Sequence, residues 1–298
     1  MADSDAMEDR FRIVSDRLSA VVARKGAELV SLKDDAGGEL LWQAGPEWPR
    51  HAPVLFPIVG RLAGDTLRHE DKSYRVTQHG FARGMQFAWI ERSAARAVLA
   101  LADSEATRAL YPFAFRLEMD FSVEEGALSV VSRVFNPGDG ELPFSIGAHP
   151  GFRWPLVDGV PKDRHVLEFE ARETGKRRTV EGGLLGPEAP LPFDGERLPL
   201  DPALFSNDAL VMPGPRSKSV RYSALSESGE PLRSMTVSWR GYEDLGVWSA
   251  PKGAPFLCIE PWRGMASFIG WDGEFRDKPG VVRLPAGEVM EFEWRVEI

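Results

Sequence analysis

Short runs of apolar or alternating residues recur between positions 19 and 296, and a Gly, a Pro or a charged turn ends nearly every one. Alternation puts every second side chain on one face, as in a half-buried strand, whereas apolar spacing at helical period is weak throughout. The clearest pair is 115–123 and 128–135 around Glu124-Glu125-Gly126, which predicts a β-hairpin. Further strands are expected at 19–23, 28–32, 73–76, 86–91, 166–169, 209–212, 220–224, 235–239, 246–249, 256–259, 281–284 and 289–296. Only 104–110 and 201–205 suggest a turn or two of helix. With 29 Gly and 23 Pro as punctuation, the expected fold is all-β, a sandwich or barrel rather than βαβ units. Residues 187–202, rich in Pro and Gly, read as a long surface loop. They do not divide the chain into compositional halves, so 1–298 is read as one domain, with 1–10 the segment expected to be disordered.

The formal charge of −9 and the lack of a basic stripe argue against nucleic acid as a partner. A single cysteine, Cys258, cannot close an internal disulfide, which fits a reducing compartment. The acidic N-terminus has no basic stretch followed by an apolar one, and no apolar run reaches the roughly 18 residues of a membrane span. A soluble, cytoplasmic protein without membrane partners is therefore expected.

Four polar clusters interrupt apolar surroundings: Phe56-Pro57-Ile58-Val59-Gly60-Arg61-Leu62, Gln78-His79-Gly80-Phe81-Ala82-Arg83, Ile146-Gly147-Ala148-His149-Pro150-Gly151-Phe152 and Leu257-Cys258-Ile259-Glu260-Pro261-Trp262. Each sets an ionisable group beside Gly or Pro, where a strand gives way to a functional loop. Glu260 follows a buried-strand pattern. Partial desolvation at the mouth of that strand would raise its pKa toward that of a general base; a salt-bridged strand-end glutamate is the equal alternative. His79 and His149 lie in glycine-flanked apolar contexts, whereas His51, His69 and His165 sit in polar ones and are expected to be solvated. One such histidine is more often structural; two of them with a strand-end glutamate point to acid–base chemistry. Arg61 and Arg83 have donors suited to sugar hydroxyls or phosphate, though Arg83 reads better as a surface residue. Trp262 and Phe81 offer an apolar platform for a sugar face, or are ordinary core aromatics.

Competing chemistries lack their residues. There is no Gly-x-Ser-x-Gly elbow, no P-loop and no Gly-x-Gly-x-x-Gly. His79, His149 and a carboxylate could hold zinc, but neither His-Glu-x-x-His nor Cys-x-x-Cys occurs, and no metal or cofactor is expected. A glycosidase pairing Glu260 with Asp208 would leave both histidines without a task.

The four clusters, in this order, resemble the aldose 1-epimerase family, in particular its divergent LacX-like branch. The resemblance implies a galactose-mutarotase-like β-supersandwich of large twisted antiparallel sheets. It also implies a cofactor-free isomerase that interconverts sugar anomers. Carried over position by position, Glu260 matches the general base and His149 the general acid. His79 matches a histidine that binds and polarises the ring region, Arg61 the substrate-binding arginine and Asp208 a hydroxyl-binding aspartate. Galactose mutarotases usually have Asn where Gly60 stands and lack Pro-Trp after the glutamate, so the pocket wall is expected to differ. The expected ionisation is a carboxylate at Glu260 and an imidazolium at His149, on opposite sides of the sugar ring. A hexose-6-phosphate 1-epimerase and a non-catalytic carbohydrate-binding protein are the alternatives.

Overall fold

A computed structural model describes residues 9–298. Antiparallel strands dominate it, as expected. A nine-stranded sheet runs in the order Arg197–Pro199, His165–Phe169, Ser219–Leu225, Pro231–Arg240, Val289–Glu297, Ala127–Phe135, Arg116–Glu124, Arg96–Ala102, Ala88–Arg92. An eight-stranded sheet runs Leu184–Ala189, Arg177–Glu181, Leu210–Met212, Asp244–Trp248, Phe256–Arg263, Ile146–Ala148, Val54–Leu55, and Gly151–Arg153 joins it on Phe256–Arg263. Smaller sheets are Arg10–Val14 with Leu18–Ala23 and Glu28–Asp34, Thr66–His69 with Lys72–Arg75, and Leu142–Phe144 with Val282–Leu284.

The predicted hairpin forms with Ala127 opposite Glu124. Glu105–Arg108 is one helical turn, closed by a capping box between Ser104 and Thr107. Pro202–Phe205 is a 3₁₀ turn whose Ala203 N–H donates to Asp201. No helix among the described residues is long and apolar enough to cross a membrane.

Phe121, Val130, Val237 and Trp294 of the larger sheet share one apolar cluster with Leu245, Val247, Leu257 and Ile259 of the smaller. Strand Phe256–Arg263 shows how this positions a site. Its odd residues Leu257 and Ile259 enter that shared core, while Phe256, Cys258 and Trp262 join separate clusters on the opposite face. Glu260 belongs by alternation to that second face.

Four expectations need correction. Glu260 is not at a strand mouth: the strand continues to Arg263 because Trp262 still pairs with both Gly147 and Asp244. His165 is 1% exposed rather than solvated; it accepts from the Leu156 N–H at Nε2 and donates from Nδ1 to the Pro161 carbonyl. The 187–202 stretch is not one loop, since Leu184–Ala189 and Arg197–Pro199 are edge strands of the two sheets. Within 1–10, Arg10 opens a strand paired with Ala23; positions 1–8 lie outside the described residues.

Candidate active site

Strand register brings the central pair together. Gly147 stands opposite Trp262 and Gly151 opposite Cys258, both on strand Phe256–Arg263. Counting inward from either pair places His149 opposite Glu260. Their side chains meet, with His149 Nε2 3.2 Å from Glu260 Oε2. The contact has ion-pair distance but not hydrogen-bond alignment, and neither Glu260 Oε2 nor His149 Nδ1 has a hydrogen-bond partner among the described residues. His149 is held by aromatic rings, stacked on Trp48 at 4.8 Å and edge-on to Trp248 at 5.7 Å and to His79 at 5.5 Å.

These residues border a cavity of about 430 Å³. Glu260, His149, His79, Asp208 and Trp262 all line it. Arg61 and Phe81 do not. The Arg61 guanidinium is engaged by Asp65 through Nε at 2.8 Å and Nη2 at 3.2 Å. Phe81 packs among Phe56, Tyr111 and Phe115. Arg83, read from sequence as a surface residue, lines the cavity, with Nη2 donating to the Gln78 carbonyl at 2.6 Å. Trp48, Trp248 and Gln78 also line it. No local motif marks the two tryptophans, which come from distant segments; the Gln78–Arg83 cluster did mark Gln78 and Arg83, but not their orientation.

His79 is gripped by Gly60. The His79 backbone N–H donates to the Gly60 carbonyl at 2.8 Å, and the Gly60 N–H donates to His79 Nδ1 at 3.2 Å. A neutral His79 therefore carries its proton on Nε2, beside the Gln78 amide at 3.4 Å. Gly60 has φ 68°, and a Cβ there would lie 2.6 Å from the Ala266 methyl. The wall has no room for an Asn at that position. Trp262 is seated in the same way. A Cβ on Gly147 would come within 2.6 Å of its indole, and one on Gly246 would overlap the ring. Asp208, exposed and with φ 75°, accepts from the Ala209 N–H at 2.8 Å and reaches the cavity from the loop before Leu210–Met212.

Burial sets the protonation. It raises the Glu260 carboxyl well above its ordinary value; Asp208 adds to the rise, and the Trp262 indole opposes it. Burial likewise lowers His149, aided by Arg83 and Arg50. His79 falls for the same reason, with His149, Arg83 and Arg50 contributing. Desolvation therefore favours a neutral pair, carboxylic acid beside imidazole, over the ion pair expected from sequence. Either arrangement holds one proton between the two residues. His149, Cys258 and Glu260 bring one donor atom each within 4.8 Å of one another. Burial keeps the thiol and the carboxyl protonated.

The sequence profile of aldose 1-epimerases matches residues 9–187. The chain is 32% identical over 270 residues to the chromosomal LacX protein of Lactococcus lactis subsp. lactis, covering 87% of this chain and 89% of that one. The chain belongs to the aldose 1-epimerase family. Among solved structures it resembles a galactose mutarotase related enzyme from Lactobacillus acidophilus, with 31% identity, a TM-score of 0.88, and coverage of 97% of this chain and 96% of that one. A galactose mutarotase-like protein from Lactobacillus casei has 27% identity and a TM-score of 0.88, over 97% and 99% of the two chains. Membership of this aldose 1-epimerase family brings a general carbohydrate epimerase role and a sugar substrate.

Proposed function

We propose that the protein is an aldose 1-epimerase that interconverts the α and β anomers of a sugar in the cavity lined by Glu260 and His149. The observation that carries this reading is the direct approach of His149 Nε2 to Glu260 Oε2, 3.2 Å apart at the cavity wall. Anomer exchange removes a proton from the C1 hydroxyl and delivers one to the ring oxygen. Both oxygens are bonded to C1, so an adjacent acceptor and donor serve them together; groups on opposite sides of the ring are not required.

The proton balance closes. With cyclic sugar bound, the resting neutral pair becomes reactive by passing the Glu260 proton to His149 Nε2, 3.2 Å away; the carboxylate so formed takes the C1 hydroxyl proton, and the imidazolium protonates the ring oxygen as its bond to C1 breaks. The pair is then carboxylic acid and neutral imidazole, the form that burial favours. After rotation about C1–C2, Glu260 returns its proton to the carbonyl oxygen while the C5 hydroxyl attacks the other face of C1 and gives its proton to His149. Desolvation makes the carboxylate a stronger base and the imidazolium a stronger acid than either is in water, which favours both transfers of the ring-opening step. His79 and Asp208 would hold sugar hydroxyls, and Trp262 would face the ring.

One observation favours a phosphorylated sugar as a second reading. Among the described residues no carboxylate lies within ion-pair distance of Arg83 or Arg50, although Arg50 Nη1 approaches the Arg83 carbonyl at 3.4 Å and Arg83 lines the cavity. Burial, with Arg50 adding to it and Glu28 opposing it, lowers the Arg83 guanidinium to about 10. A bound phosphate would give Arg83 an anion in direct contact, which Glu28 is too far away to be.

The test is anomer exchange at the C1 proton by NMR, on aldoses and their 6-phosphates, with wild type and Glu260→Gln. Glu260→Gln is expected to slow exchange about 10²–10⁴-fold. Unchanged exchange in that variant removes Glu260 from the mechanism. A higher kcat/KM on glucose than on glucose 6-phosphate removes the second reading. Tight sugar binding without acceleration would instead mark a binding protein.

A further inference from the structure

Lys278 is a buried lysine that the proposed reaction does not use. It is 4% exposed, and its Nζ donates to the Met265 carbonyl at 2.5 Å and to the Pro279 carbonyl at 3.4 Å. On the other side, buried Asp244 accepts from the Gly264 N–H at 3.2 Å and the Gly214 N–H at 3.2 Å. The Gly264–Met265 segment is thus gripped at its first N–H by a carboxylate and at its last C=O by an ammonium. The next residues form the cavity wall. Ala266 lines the cavity and abuts Gly60, Ser267 N–H donates to the Arg61 carbonyl at 2.8 Å, and Gly60 holds His79 by ring and backbone.

Resting on the epimerase reading, we infer that Lys278 and Asp244 are positioning residues, a buried clamp that fixes Ala266 against Gly60 and so sets the tautomer and aim of His79. Neither touches the cavity. Each buries a charge against backbone groups rather than against the other, which is costly, so a stability contribution does not explain them. Placement of the wall does.

The experiment compares Lys278→Met with the double variant Lys278→Met/Asp244→Asn. The single variant removes a nearby positive charge that offsets buried Asp244, so its thermal midpoint falls; the double variant, with no buried charge left, recovers part of that fall. The amide oxygen introduced by Asp244→Asn can accept from the Gly264 N–H or the Gly214 N–H but not from both, and the Met265 carbonyl has lost its donor in both variants. Sugar KM is therefore expected to rise about tenfold or more in both, with kcat within about twofold. The ¹⁵N shifts of the His79 ring should move toward a mixture of tautomers in both. KM and His79 shifts that recover along with the midpoint would show a merely structural pair and overturn the inference, as would unchanged values in the single variant. The His79 spectrum needs no turnover, so it tests the clamp even if wild type accelerates no anomer exchange.

Discussion

At the scale of single residues, the pair His149–Glu260 explains why a chain with no unusual motif can do proton chemistry. Neither residue has an ordinary environment: Glu260 is 1% exposed and His149 7%. Arg83 is the residue through which the two substrate readings separate. If phosphate is the substituent it meets, Arg83→Ala should raise KM for a sugar 6-phosphate about tenfold or more and leave KM for the unphosphorylated sugar within about twofold, measured by initial rates of anomer exchange. An equal rise for both sugars would mean that Arg83 shapes the pocket rather than reading charge. The sequence pointed to Glu260, His149, His79 and Trp262 through short clusters and to Asp208 through the family resemblance, and all five reach the cavity. It misjudged Arg61, Phe81 and Arg83, because a side chain's direction out of a loop depends on partners such as Asp65 and Tyr111 that are fixed only by folding.

At the scale of elements, strand Phe256–Arg263 governs the site. Its alternation separates core from cavity, and its two antiparallel neighbours in front of and behind His149 set the meeting with Glu260. The neighbouring strand Asp244–Trp248 contributes an absence: Gly246, opposite Glu260, leaves the room in which the Trp262 indole lies. Gly246→Ala is therefore expected to displace Trp262, costing about 1–3 kcal/mol of stability by urea denaturation and weakening sugar binding. If stability and KM both stay at wild-type values, the indole is not held there. Strand existence was readable because alternation and turn residues are local; the strand ends were not. Residues 260–263 continue the strand because flanking strands pair with them, although Pro261 reads locally as a break.

At the scale of the whole molecule, the buried pair leaves a signature in stability against pH. Between about pH 4.5 and 6.5, the ordinary values of the two groups, an unfolded chain holds one proton on His149 while the folded pair holds one on Glu260, so the pair adds no slope. Above that range the folded state keeps a proton that the unfolded chain has lost, and stability falls as pH rises through the elevated pKa of Glu260. Below it, the unfolded chain binds two protons against one, and stability falls with acid. Glu260→Gln leaves His149 alone. Its stability should fall on acidification already from about pH 6.5, by about 1.4 kcal/mol per unit more than wild type. Parallel curves of unfolding free energy for the two proteins from pH 7 to 5 would show that burial does not shift the pair.

The sequence by itself determined the class of fold and the chemical repertoire, because alternation, Gly and Pro punctuation and the four polar clusters act over neighbouring residues. Only the tertiary structure decided the protonation of the pair, the wall built from Gly60 and Ala266, and the inward turn of Arg83. Those depend on desolvation and on contacts between segments far apart in the chain, which no local pattern encodes.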